Sequence, residues 1–259
     1  MSEEQTVTYE LDGEIALVGL NRPDKRNCFN PDVMKALRIA IDRAGEEAKC
    51  GIIFGHGDNF CAGLDLNELK EASTSESFET SVVGQRLNET VQFCKVPVIA
   101  VLHGAVIGGG MELAAAAHIR IAETSAYYAL PEGTRGIFLG SGGSVRLPRL
   151  IGPSMVIDMM LTGRVYDATE GLQQLRFTQY LVDPGCGLKT AVALAEKVAK
   201  NAPLANYAIV QAIPRIVEQD PANGLFTEML MVTLAQADEE AKLRLRDFLE
   251  RKAGKVVRV

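Results

Sequence analysis

Glu112 and Glu132 lie twenty residues apart, each embedded in apolar, glycine-rich sequence. Glu112 follows Gly108-Gly109-Gly110-Met111 and precedes Leu113 and four alanines, while Glu132 stands in Ala129-Leu130-Pro131-Glu132-Gly133. Taking a carboxylate out of water is costly, so acids in such surroundings are held there for a reason. Two carboxyl groups in a water-poor pocket can share proton chemistry, one giving a proton and the other taking one.

The neighbouring glycines suit the same chemistry. The run Gly108-Gly109-Gly110 closes a predicted strand and opens a predicted helix, whose first N–H groups lack intrahelical partners and sit at the positive end of the macrodipole. Without a Cβ, a ligand oxygen can approach those N–H groups closely. A second turn, Cys61-Ala62-Gly63, also follows a short apolar strand. N–H groups from the two turns, converging on one carbonyl oxygen, would form an oxyanion hole worth roughly 3–4 kcal/mol per donor to a developing enolate. The competing reading is that the glycines only permit tight helix–strand packing and Glu112 caps the helix. Neither Gly108-Gly109-Gly110 nor Gly140-Ser141-Gly142-Gly143 completes the dinucleotide fingerprint G-x-G-x-x-G, and no P-loop pattern occurs.

The elements that must hold these groups follow from the apolar pattern. Segments 6–11 and 15–20 flank Asp12-Gly13 as a hairpin. Pro31 opens a helix with Val33, Met34, Leu37, Ile41 and Ala44 on one face. Residues 51–55 and 98–102 read as buried strands, 66–93 as helix with a polar patch at 73–77, and 109–117 as helix. Short strands are expected at 118–122 and 126–130. Beyond Pro148 the pattern is helical, at 153–162, 168–175, 187–200, 203–218 and 222–251. The result is an α/β layout with a helical C-terminal extension, divided near Asn201-Ala202-Pro203.

Composition narrows the partners. The 259 residues are 47% hydrophobic and 23% charged, with a net charge of −6, so no basic footprint for nucleic acid is present. Segment 96–117 is apolar enough to prompt a membrane check, but its glycines, Pro97 and Glu112 favour a buried strand turning into a helix. Five cysteines and three histidines show no metal or disulfide spacing. The acidic start, Met1 to Gln5, has no apolar stretch typical of a secretory signal. A cytoplasmic, metal-free protein without a membrane span is expected.

In their order and spacing, segments 20–23, 60–66, 103–113, 131–132, 142–152 and 248–252 resemble the crotonase (enoyl-CoA hydratase/isomerase) superfamily over nearly the whole chain. The resemblance implies a spiral of ββα units over 1–200 and a C-terminal helical region over 201–259 that assembles homotrimers or homohexamers. It implies an acyl-CoA substrate, with coenzyme A part of that substrate and no other cofactor. The Ala62 and Gly109 N–H groups would hold the thioester oxygen, and Glu112 and Glu132 would activate water and protonate Cα. Ala62, Gly63, Leu64, Asp65 and Leu66 would line the CoA path, with Lys25, Arg26, Phe248 and Lys252 as further CoA contacts. Leu69, Phe78, Val83, Phe138 and Leu139 would shape the acyl pocket.

The departures from the family pattern are His103 for asparagine, Ala117-His118 for Cys-Asp, an unusual loop at 133–141, and Arg244 for glycine. Both histidines are expected to serve packing. With both acids present, hydration of an α,β-unsaturated thioester is the leading expectation. The alternatives are enoyl-CoA isomerisation, hydration coupled to carbon–carbon cleavage of an aromatic acyl-CoA, or a non-catalytic CoA-ester binding protein.

Overall fold

A computed structural model describes residues 5–69 and 72–250. The chain begins with an antiparallel hairpin, β1 (Val7–Asp12) and β2 (Ile15–Leu20), in register from Val7 opposite Leu20. Asn30 then caps α1 (Pro31–Glu47), its side chain accepting from the Val33 N–H, and Pro31 occupies the first turn. β3 (Cys50–Gly55), α2 (Leu66–Leu69), α3 (Thr74–Gln92) and β4 (Val98–Leu102) follow.

The polar patch at 73–77 is therefore a helix start rather than part of a longer helix. The Ser73 side chain accepts from the Glu76 N–H, and the Glu76 carboxylate accepts from the Ser73 N–H, a reciprocal cap that sets where α3 begins.

After β4 come β5 (Ala105–Ile107), α4 (Gly109–Ala116), β6 (Ile119–Glu123), β7 (Tyr127–Ala129) and α5 (Gly143–Ile151). α6 (Pro153–Thr162), β8 (Val165–Asp167), α7 (Ala168–Gln173), β9 (Tyr180–Val182) and α8 (Gly187–Ala199) complete the core. The last three helices are α9 (Pro203–Ile216), α10 (Pro221–Ala237) and α11 (Glu239–Leu249).

Two sheets explain the layout. One runs β1-β2-β3-β4-β6-β9, parallel from β2 onward, and the other runs β5-β7-β8. Isolated parallel bridges, Phe29 to Leu64 and Cys61 to Val106, carry the second layer back beside β5. Each turn of the chain thus passes through the large sheet, then the small layer, then a helix, giving a spiral of ββα units. All five residues of β4 are buried, as expected for a parallel strand covered on both faces. One face packs on Ala191 and Ala195 of α8, and the other on the core built with α1, α3 and α4.

Candidate active site

Helix α4 begins unusually close to its neighbours. Gly110 lies so near the 61–64 segment that a Cβ there would come within 2.2 Å of the Cys61 carbonyl oxygen. Gly63 is also tightly placed, since a Cβ on it would stand 2.8 Å from Ile107 O and 3.2 Å from Gly109 N. Residues 60–65 are fixed by pairing on two sides. Phe60 and Cys61 donate to the carbonyls of His103 and Ala105, while the Phe29 N–H donates to the Gly63 carbonyl and the Asp65 N–H to the Phe29 carbonyl.

That pairing decides which N–H groups are free. The Ala62 N–H donates to the Arg26 carbonyl at 3.0 Å, so it is committed within the protein and is not available to a ligand oxygen. The expected pairing of Ala62 with Gly109 is corrected accordingly. Leu64 is the next residue beside α4: its nitrogen lies 3.7 Å from a Cβ built on Gly109. Among the described residues, neither the Leu64 N–H nor the Gly109 N–H, at the positive end of α4, has a hydrogen-bond partner.

Both glutamates are buried close to this helix start. Glu112, in the first turn of α4, accepts at Oε1 from the N–H of Ser141 (2.9 Å) and of Gly143 (2.7 Å). Burial raises its pKa, while those bonds and the Arg146 charge act the other way. Glu132 stands between β7 and a short 3-10 turn, with its Oε1 2.7 Å from where a Cβ on Gly108 would be. Its Oε2 is buried without a hydrogen-bond partner. Burial, reinforced by the Glu112 charge, pushes Glu132 up to about 7. The two acids therefore feel one another, and their environments differ: one is held by N–H donors, the other has an oxygen with none.

Other expected site residues are distributed around this centre. Lys25 and Arg26 are exposed on the loop whose backbone holds Ala62. The Asp65 carboxylate accepts from Asn67 and pairs with Arg22 at 3.5 Å, so it braces the loop. Leu64 is half-buried and Leu66 exposed. Phe248 is exposed on α11, and Lys252 lies outside the described residues, as does the side chain of Leu69. Phe78 and Phe138 are both 70% exposed, whereas Leu139 is buried.

His118 accepts from the Val98 N–H and its Nε2 bonds the Gln92 carbonyl, tying β4 to the end of α3. His103 bonds the Gly57 carbonyl at 3.1 Å. Arg244 pairs with Glu240 one turn back on α11. A cavity of about 1000 Å³ opens between α3, the far end of α4, α5 and α9, but neither glutamate lines it. Among the described residues there is no cluster of three metal-ligating side chains, and no helix is long and apolar enough to cross a membrane.

Sequence reasoning missed Asn27, buried and left-handed, whose side chain joins Arg22 N, His56 O and Asn59 O and so anchors the 56–65 loop. It also missed the Ser141 and Gly143 N–H groups on Glu112, for which the motif Gly140-Ser141-Gly142-Gly143 was the available signal.

The family profile described as enoyl-CoA hydratase/isomerase matches residues 10–255. This chain belongs to that family. It is 32% identical over 253 residues to the short-chain-enoyl-CoA hydratase of Clostridium acetobutylicum, covering 96% of this chain and 97% of that one. A crystal structure of a protein from Rhodopseudomonas palustris CGA009, provisionally named an enoyl-CoA hydratase, superposes with a TM-score of 0.90 at 52% identity over 97% of both chains. The enoyl-CoA hydratase of Bacillus anthracis superposes with a TM-score of 0.90 at 28% identity, over 97% of this chain and 98% of that one. The crotonase-type fold expected from the motifs is therefore the fold of this enoyl-CoA hydratase/isomerase family member.

Proposed function

We propose that this family member is an enoyl-CoA hydratase, adding water across the α,β double bond of an acyl-CoA thioester. The observation that carries the reading is the pair of buried acids beside two unpartnered N–H groups at the start of α4. In this reading the N–H groups of Leu64 and Gly109 hold the thioester oxygen and stabilise the enolate. Glu112, its carboxylate oriented by two N–H donors, takes a proton as water oxygen bonds to Cβ. The displaced π electrons move through Cα to the thioester oxygen. Glu132, whose pKa near 7 leaves much of it protonated, returns a proton to Cα. Coenzyme A is part of the substrate, and the chemistry asks for no resident cofactor. The spiral before α9 carries the catalysis in this account, and helices α9 to α11 assemble trimers or hexamers.

Wild type, Glu112→Gln and Glu132→Gln are to be assayed on short, medium, branched and aromatic 2-enoyl-CoAs, with product analysis and Kd for a saturated acyl-CoA. Either substitution should lower kcat by about 10²–10⁴-fold with Kd little changed. Full turnover by both variants sinks the reading. A shifted double bond, or a released aldehyde in place of a stable 3-hydroxyacyl-CoA, assigns isomerase or lyase chemistry instead.

A further inference from the structure

Glu112 is oriented by a turn that its own helix does not contain. Both donors to its Oε1, Ser141 N–H and Gly143 N–H, come from the residues leading into α5. In a trans peptide the carbonyl of one residue and the N–H of the next point in opposite directions. Holding the Gly140 and Gly142 carbonyls on the far side therefore turns the Ser141 and Gly143 N–H groups onto the carboxylate.

The backbone N–H groups of Val145 and Arg146 hold the Gly142 carbonyl at 3.2 Å, and side chains from α3 and α5 add to the hold on this turn. Gln85 Nε2 donates to Gly140 O at 3.3 Å, and Asn88 Nδ2 donates to Ser141 O at 2.8 Å. Arg146 Nη1 donates to Ser141 O at 3.5 Å and Gly142 O at 3.4 Å. The guanidinium is itself aimed by Gln92, whose Oε1 accepts from Arg146 Nε at 2.6 Å. There is no slack in this packing. A Cβ on Gly142 would stand 2.3 Å from Arg146 Nη1, and one on Gly84 would stand 2.2 Å from Ser141 Oγ.

We propose that Arg146 is a positioning residue for Glu112, turning the Gly143 N–H onto the carboxylate and placing a positive charge behind it. The inference rests on the reading of Glu112 as the base that activates water. The charged groups facing this pair are few. Glu132 faces Glu112 from the segment after β7, Glu89 faces Arg146 from α3, and Arg135 faces Glu132. Gln85, Asn88 and Gln92 are neutral, and neither β5 nor α4 carries another titratable group. Removing a cation near a carboxylate raises that carboxylate's pKa, so an activity that needs ionised Glu112 is lost at a higher pH.

The test compares wild type, Arg146→Met and Arg146→Lys on whichever 2-enoyl-CoA of the panel wild type turns over fastest. Arg146→Met should lower kcat about ten- to a hundredfold with KM within about threefold. It should also move the acidic limb of kcat/KM up by about one pH unit. Arg146→Lys keeps the charge without the fork of donors, so it restores the limb but only part of kcat.

A second readout does not depend on turnover. The carboxyl carbon-13 signal missing from Glu112→Gln reports the titration of Glu112, and its midpoint should rise in Arg146→Met. Unchanged kcat, limb and midpoint in Arg146→Met overturn the proposal. Should that variant lack a native-like thermal transition, Gln92→Leu, which keeps the charge but removes its tether, should lower kcat at least about fivefold with the limb in place, and no change overturns the proposal. A wild type inactive on the whole panel would sink the hydratase reading alone, because the titration midpoint still decides the role of Arg146.

Discussion

Glu132 combines two conditions that rarely coexist, burial and an oxygen without a partner, and this has a consequence for stability. Its folded-state pKa is pushed up to about 7, above the value of an unfolded-chain glutamate. The folded protein thus binds that proton more tightly than the unfolded chain does. The stabilisation is fully present below about pH 4 and is lost as pH rises through 7. Between pH 5 and 8 this group alone should cost on the order of 2–3 kcal/mol. Glu132→Gln removes the titration, so the variant should gain on wild type in urea unfolding as pH rises from 5 to 8. Parallel pH profiles for the two proteins would show that Glu132 does not titrate near neutrality. Such buried acids could be read from sequence because each stands alone in apolar, glycine-rich surroundings. The free N–H at Leu64 could not: whether residue 62 or 64 presents its donor is set by bonds to Arg26 and Phe29, more than thirty positions earlier in the chain.

The start of α4 works because four short pieces of backbone approach more closely than side chains would allow. Gly110→Ala tests this, since its Cβ would meet the Cys61 carbonyl at 2.2 Å, and Cys61 is pinned by its bridge to Val106. That overpacking should cost at least about 1–3 kcal/mol, together with a loss of turnover from displacing the Gly109 N–H. Gly51→Ala in β3 is the control: its Cβ meets nothing nearer than 3.8 Å, so urea midpoints should separate the two variants clearly. If Gly110→Ala unfolds with the midpoint of Gly51→Ala, the close approach is not what fixes the helix. Periodic elements such as α6 and α8 were legible within a residue or so at either end, and the start of α1 at Pro31 was legible too. The strands β5, β8 and β9, three residues each, were not, because strands so short carry no period and exist only through their neighbours. The expected helix 222–251 divides at Asp238, whose side chain caps α11 by accepting from Ala241 N–H.

The last three helices of the described residues expose a large apolar surface. α10 buries only Gly224 and exposes Leu225, Phe226, Met229, Leu230, Val232 and Leu234, and α11 exposes Leu243, Leu245, Phe248 and Leu249. A helix apolar on every side is normally covered, and large apolar patches mark interaction surfaces. α9 docks on the core through Gln211, which donates to the Phe93 and Cys94 carbonyls, and through Arg149 with Glu218 just beyond its end. α10 and α11 follow it with their apolar faces exposed, and in the trimer or hexamer proposed above further copies of the chain would cover those faces. Light scattering should therefore give a mass three or six times 28.0 kDa. Leu230→Glu, which places a charge in the middle of α10, should shift the protein towards the 28.0 kDa species. Because the spiral core keeps its own buried contacts, far-ultraviolet circular dichroism of that variant should retain most of the wild-type signal. A wild type that runs at 28.0 kDa at micromolar concentration would mean that this apolar face is tolerated in water, and the assembly role of the C-terminal helices would fall.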